Sequence, residues 1–202
     1  MTILALDTTS NLASVAIRRN GETLSVVTLE STTGFAHLIF EAIEKCRNEA
    51  GLALDQVDCF AAAAGPGSFT GVRVGLTAAK GLAEALGKPV IGISNLRAWS
   101  AFGQKDGLRA VVLDARRSEV YGGIYDAHAH PLGPETVGSL EQFLASLDPG
   151  RECEIVHATA KPLAPAIALC AELDGPAKWL NPALLDANYV RRSDAELFWK
   201  DQ

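Results

Sequence analysis

The chain has 202 residues, 48% of them hydrophobic and 21% charged, and 18 basic against 24 acidic side chains leave a formal net charge of −6. At roughly 150 residues per domain that length fits one or two globular domains, with enough buried surface to fold without disulfides or structural metals. Composition of this kind excludes disorder, collagen and coiled coil, and an acidic balance with scattered basic residues argues against autonomous binding to a nucleic-acid backbone.

The first thirty residues read as strands, Ile3–Leu6, Ala13–Ile17 and Thr23–Leu29, with Asn20-Gly21 as a hairpin turn between the last two. Phe35, Leu38, Ile39, Ala42, Ile43 and Cys46 then recur at helical spacing opposite Glu41, Glu44, Lys45 and Arg47, an amphipathic helix that Gly51 stops. The apolar run Cys59–Ala64 predicts a central strand and feeds the Gly-rich segment Gly65–Gly71, GPGSFTG. A second helix is expected from about Val72 to Leu86, ended by Gly87-Lys88-Pro89. Val90–Ile93 gives another strand, and Ser94 is placed to cap a third helix running to Phe102.

A shift of 107 positions superimposes Asp7 on Asp114 and Ile17 on Ile124, each aspartate closing an apolar strand and followed by a polar turn. Two such units suggest two related lobes, residues 1–105 and a shorter 106–202, joined in the polar stretch Gly103–Gly107. Beyond Asp126 the pattern weakens to a Ser139-capped helix ending at Ser146 and another over Pro165–Glu172. Cys46, Cys59, Cys153 and Cys170 form no CxxC pair and read as buried reduced thiols. The start of the chain has no basic, long apolar leader, and no apolar run approaches the ~20 residues of a membrane span, so a cytoplasmic protein is expected.

Residues with catalytic chemistry are sparse. A Gly-rich turn between a strand and a helix offers unpaired N–H groups to an anion, so Asp7, Gly65, Gly67 and Ser68 are candidates for nucleotide contact. The same glycines serve equally to bring a helix close to a sheet, and the segment is neither a P-loop nor GxGxxG. Asp7 and Asp114 have the chemistry to hold a hydrated metal and phosphates between lobes, or simply to form turns. His37, His128, His130 and His157 show no metal-ligand spacing, and Ser10, Ser68 and Ser94 lack the frame of an activated nucleophile. No complete catalytic set and no metal site emerge.

The second helix is more informative. Its polar residues Arg73, Thr77, Lys80 and Glu84 occupy one narrow stripe, and nearly all the remaining circumference is apolar or small, including Leu76 and the close-packing series Gly75, Ala79 and Ala83. Such a helix is buried on more than one side, either wholly within the chain or partly at a subunit interface.

ILALDTTSNLASVAI, GPGSFTGVRVGLTAAKGLAEALGKPVIGIS and the closing YVRR resemble the TsaB (YeaZ) family, the partner subunit of the bacterial machinery that makes threonylcarbamoyladenosine in transfer RNA. The resemblance is continuous over about residues 1–125, thin from Ala127 to Leu185, where the chain looks short for the family, and returns at Tyr189–Arg192. It implies an α/β, two-lobed fold of the actin, hexokinase and Hsp70 type. The catalytic relative in that machinery, TsaD, carries an HxxxH metal pair where this chain has Asn95 and Trp99, neither a good ligand, so the resemblance implies a non-catalytic subunit. It also implies association through the first two helices, as a homodimer or with TsaD. The expected contacts are Phe35, Leu38, Ile39, Ala42, Ile43 and Cys46 on one helix, and Arg73, Leu76, Thr77, Ala79, Lys80 and Ala83 on the other. The ATPase TsaE is expected to dock on the pair, with ATP or ADP and Mg only at the level of the complex and transfer RNA reached only indirectly. Many members begin the first helix with His-Ser or His-Thr where this chain has Thr33-Gly34-Phe35. The rival readings are an autonomous nucleotide-dependent kinase or transferase acting between Asp7 and Asp114, and a peptidase, for which neither metal pair nor nucleophile is present.

Overall fold

The computed structural model describes residues 1–148, 150–188 and 190. The resemblance at Tyr189–Arg192 falls outside these, apart from Val190. Strands β1 (Thr2–Asp7), β2 (Leu12–Arg19) and β3 (Glu22–Glu30) are followed by α1 (Ile39–Glu49), β4 (Cys59–Gly65), α2 (Phe69–Leu86), β5 (Val90–Ser94) and α3 (Asn95–Ser100). The rest comprises β6 (Leu108–Asp114), β7 (Val120–Tyr125), β8 (Thr136–Gly138), α4 (Leu140–Ala145), β9 (Cys153–His157), α5 (Ala164–Asp174) and three short 3-10 turns, Leu54–Gln56, Pro176–Lys178 and Pro182–Leu184. Among the described residues no helix is long and apolar enough to cross a membrane.

The first sheet has the order β3-β2-β1-β4-β5, and the second, β8-β7-β6-β9, repeats its first four positions. This is the two-lobed actin/hexokinase/Hsp70-like arrangement. The shift of 107 positions holds for β1 against β6 and slips by one on the next strand. Asp7 lies opposite Ser14 but Asp114 lies opposite Val120, because the second turn is one residue shorter.

β1 is buried along its whole length because helices cover both faces of the first sheet. Leu4, Leu6, Val15, Ile17 and Phe60 pack towards α1 and α2. The alternate residues Ala5, Ala16, Ala61 and Ala63 face a second core with Ala164, Ala168 and Ala171 of α5. Small side chains on both partners let α5 lie close to the sheet, and the same core takes in Val111, Tyr125 and Val156 of the second sheet. Ser14, fully buried on β2, accepts a hydrogen bond from the Ala164 backbone at 3.0 Å and so caps α5, whose own preceding residue Leu163 offers no side-chain acceptor. The four cysteines are free thiols, and burial pushes that of Cys59 up to about 12 with help from Asp58.

Candidate functional site

Two places on this scaffold collect the residues that the sequence singles out. The first is the turn between β1 and β2, where it meets the Gly-rich segment. Asp7 is buried, and its Oδ1 accepts from the Thr9 amide at 2.9 Å and from the Thr9 hydroxyl at 2.6 Å. Burial pushes the Asp7 carboxyl up, and the Thr9 hydrogen bonds oppose that shift. Thr8 Oγ1 donates to the Gly71 carbonyl at 2.6 Å, and the Ser68 amide donates to the Thr9 carbonyl at 2.8 Å. A Cβ at Gly67 would stand 2.8 Å from Thr9 Cβ, and one at Gly71 would overlap the Thr8 carbonyl oxygen.

The glycines therefore serve backbone-to-backbone packing of the turn on the start of α2. Each of the four candidate nucleotide contacts also has a partner within the chain. Asp7 holds Thr9, the Gly65 amide donates to Asn95 at 3.0 Å, the Thr9 side of the turn fills the space beside Gly67, and Ser68 Oγ caps α2 by accepting from Gly71 N at 3.2 Å.

Asn95 is the clamp of this arrangement. Its carboxamide oxygen receives the Gly65 amide while its Nδ2 donates to Thr9 Oγ1 at 2.6 Å, so one buried side chain ties β4 to the first turn. Trp99, one helical turn on, packs against Phe102 with ring centroids 5.1 Å apart. A carboxamide engaged at both ends and an indole do not fit a catalytic metal, and among the described residues no group of three or more His, Cys, Asp or Glu stands close enough to hold one. A cleft of about 220 Å³ between the lobes is lined by Asp7, Thr9, Ser10, Pro66, Gly67, Asn95 and Trp99, with Leu113, Ala158, Thr159 and Leu163 from the far side. Asp114 does not line it. That carboxylate is exposed and accepts from Arg116 N at 2.8 Å, so the two aspartates do not converge on one site.

The second place is a groove of about 430 Å³ between α1 and α2, lined by Ala36, Ile39, Phe40, Phe69, Thr70, Arg73, Val74, Thr77 and Ala78. Phe40 and Phe69 are 57% and 51% exposed, and the Arg73 guanidinium lies 3.6 Å from the centre of the Phe69 ring. Of the contacts expected from sequence, Ile39, Arg73 and Thr77 line this groove. Phe35, Ala42, Ile43, Cys46, Leu76, Ala79 and Ala83 do not present a surface and are corrected to core residues, because an amphipathic stripe packs first on its own sheet. Leu38 and Lys80 are half-buried, and Lys80 Nζ donates to the Leu185 carbonyl at 2.8 Å. Sequence reasoning missed Phe40 and Phe69. Their signal is an aromatic out of phase with the buried stripe of α1, facing another in the first turn of α2.

The family model described as "TsaD: tRNA N6-adenosine threonylcarbamoyltransferase" matches residues 26–167, more than half of the chain. A Haemophilus influenzae protein named tRNA threonylcarbamoyladenosine biosynthesis protein TsaB is 44% identical over 124 residues, which cover 60% of this chain and 52% of the relative. The chain thus spans about half the length of that curated relative. An uncharacterized Mycobacterium bovis protein is 32% identical over 96% of this chain and 94% of its own length. A crystal structure from Pseudomonas aeruginosa, described as an uncharacterized protein with similarity to peptidase YeaZ, shares the fold with a TM-score of 0.81 at 26% identity, covering 94% of this chain and 99% of that one. This chain is a member of the TsaB (YeaZ) family.

Proposed function

We propose that this chain is a non-catalytic subunit for threonylcarbamoyladenosine formation in transfer RNA, which pairs through the α1–α2 groove with the TsaD-type transferase and supports its active conformation. The observation that carries this reading is the groove itself: two half-exposed phenylalanines and an arginine on rigid helices, beside a cleft whose polar groups are engaged within the chain. Buried aromatic and arginine anchors are the residues that dominate protein association. The biosynthetic name of the Haemophilus influenzae relative supports the pathway. Alone, the chain uses the same groove for a homodimer. TsaE docks on the pair, any ATP or ADP with Mg belongs to the assembled complex, and transfer RNA is held by the other subunits.

Light scattering of this chain mixed with a TsaD protein at micromolar concentration tests the pairing. A heterodimer that Phe40→Asp abolishes is expected, together with loss of the modified nucleoside from transfer RNA of cells carrying that variant. No heterodimer, or one indifferent to Phe40→Asp, overturns the reading. Calorimetric binding of Mg-ATP by the isolated chain would instead favour the autonomous enzyme.

A further inference from the structure

The last described stretch of the chain is pinned at the end of β4. Asn188 N donates to the Ala64 carbonyl at 2.7 Å, Asn188 Nδ2 donates to Glu135 Oε2 at 2.7 Å, and the Asn188 carbonyl oxygen stands 3.3 Å from where a Gly65 Cβ would lie. Gly65 closes β4 and Ser68 caps α2, so the chain is delivered beside the N-terminal end of that helix. The first turns of α2, with Phe69, Thr70, Arg73 and Val74, form one wall of the α1–α2 groove. Beyond Val190 the sequence continues as RRSDAELFWKDQ.

Ala36, Ile39 and Phe40 of the α1 side face that wall, and Arg73 is the charged residue among the described groove residues. Its guanidinium stacks on the Phe69 ring and enters no ion pair among the described residues. An arginine without a carboxylate, set beside a phenylalanine that is 57% exposed, fits a segment that brings acid and large apolar side chains together. Asp194, Glu196, Leu197, Phe198 and Trp199 form such a segment. A second copy seated on the groove brings another Arg73 and no carboxylate from the same lining, so this segment is the better electrostatic match.

We propose that residues 194–199 dock in the α1–α2 groove of their own chain, with Leu197, Phe198 and Trp199 covering Phe40 and Val74 and the Asp194 and Glu196 carboxylates meeting Arg73. Reach is sufficient: six residues from Val190 to Glu196 span up to about 20 Å, against about 14 Å of helix from Phe69 to Ala78. The tether holds the segment at an effective concentration of about millimolar, so a weak contact is populated without help from a partner. Any partner protein or second copy must displace it. A groove covered about 80% of the time binds its partner about fivefold more weakly than an open one. That effect on pairing rests on the reading of the groove as the transferase surface, whereas the docking itself does not.

The test places a nitroxide on Gln202→Cys in the full chain with Cys153→Ser, the other three cysteines being buried. Amide NMR is expected to show broadening at Phe40, Phe69, Arg73 and Thr77 that persists on dilution. Phe198→Ser/Trp199→Ser, checked by circular dichroism, is expected to remove that broadening, and Asp194→Asn/Glu196→Gln to reduce it. Without the label, Phe198→Ser/Trp199→Ser is expected to bind a TsaD protein about fivefold more tightly than the parent. The docking is overturned by no broadening at the groove, by broadening that disappears on dilution, or by broadening that either double variant leaves unchanged. Equal affinity of parent and Phe198→Ser/Trp199→Ser for TsaD overturns the competition. If neither chain binds TsaD, the pairing reading fails while the broadening still judges the docking.

Discussion

Thr8 Oγ1 donates to the Gly71 carbonyl oxygen at 2.6 Å across 63 positions of sequence, and this contact fixes how α2 sits on the first turn of the sheet. Because the Thr8 carbonyl oxygen lies where a Gly71 Cβ would project, Gly71→Ala must push the helix off the turn. A loss of about 3 kcal/mol in unfolding free energy is expected from overpacking. Urea denaturation measures it, and a change below about 0.5 kcal/mol would show that the turn yields.

The corrected interface makes a paired prediction. Ala79, on the inward face of α2, is fully buried, so Ala79→Glu is expected to unfold the chain or cost more than about 3 kcal/mol, by burial of an unpaired charge in a packed core. Phe40→Asp, on the exposed side of α1, is expected to leave the thermal midpoint within about 2 °C of the parent. Circular dichroism melts of the two variants distinguish core from surface without reference to any partner.

Arg97 and Asp174 form a buried pair between α3 and the end of α5, at 2.5 Å for the shorter contact, with side chains 10% and 5% exposed. Arg97 Nε also donates to the Ala129 carbonyl at 2.8 Å, and Lys178 Nζ reaches Asp174 at 2.8 Å. Arg97→Ala leaves the carboxylate buried with only a surface lysine for company, and about 3–5 kcal/mol of destabilisation is expected in chemical denaturation.

Burial of Asp174 works to raise its pKa, yet the hydrogen bonds from Arg97 and Lys178 outweigh it and hold the carboxyl below its ordinary value. A carboxyl depressed in the folded state binds its proton more readily in the unfolded chain. Its contribution is therefore complete above about pH 4 and is lost as the pH falls through the folded pKa. Stability measured between pH 5 and 2 is expected to fall less steeply in Asp174→Asn than in the wild type, and identical slopes would contradict the assignment.

Leu185 inserts beside β5, 5% exposed with its Cδ1 directed at Gly92, while Lys80 holds its carbonyl from α2. Leu185→Ala should cost about 2–4 kcal/mol as a core truncation, although it lies in a segment with no regular secondary structure. Denaturant midpoints of the single variant and of Leu185→Ala/Lys80→Ala then report whether the two contacts act together.

Local chemistry made much of the first lobe legible from residues alone. Asn20-Gly21 imposed a hairpin, the period-3.6 stripe Ile39, Ala42, Ile43 and Cys46 imposed a helix on the sheet, and Ser94 and Ser139 capped the helices they precede. The alanine-rich α5 was legible as a helix but not as the element between the sheets, because a helix that is apolar all round carries no direction. The short β8 and β9 left no pattern long enough to read.

Whether a glycine faces a ligand or a neighbouring turn, and whether an apolar helix residue faces the core or a partner, depends on what the rest of the chain brings against it. The residues by themselves determined the hairpin, the helices and the Gly-rich turn. Only the tertiary structure decided that Thr8 and Thr9 fill the space beside Gly67 and Gly71, that Ala79 is interior, and that Phe40 and Phe69 are the aromatic residues left exposed on the groove. Spacing within one element is set by local bonds, whereas the occupancy of space around it is set by contacts between residues far apart in sequence.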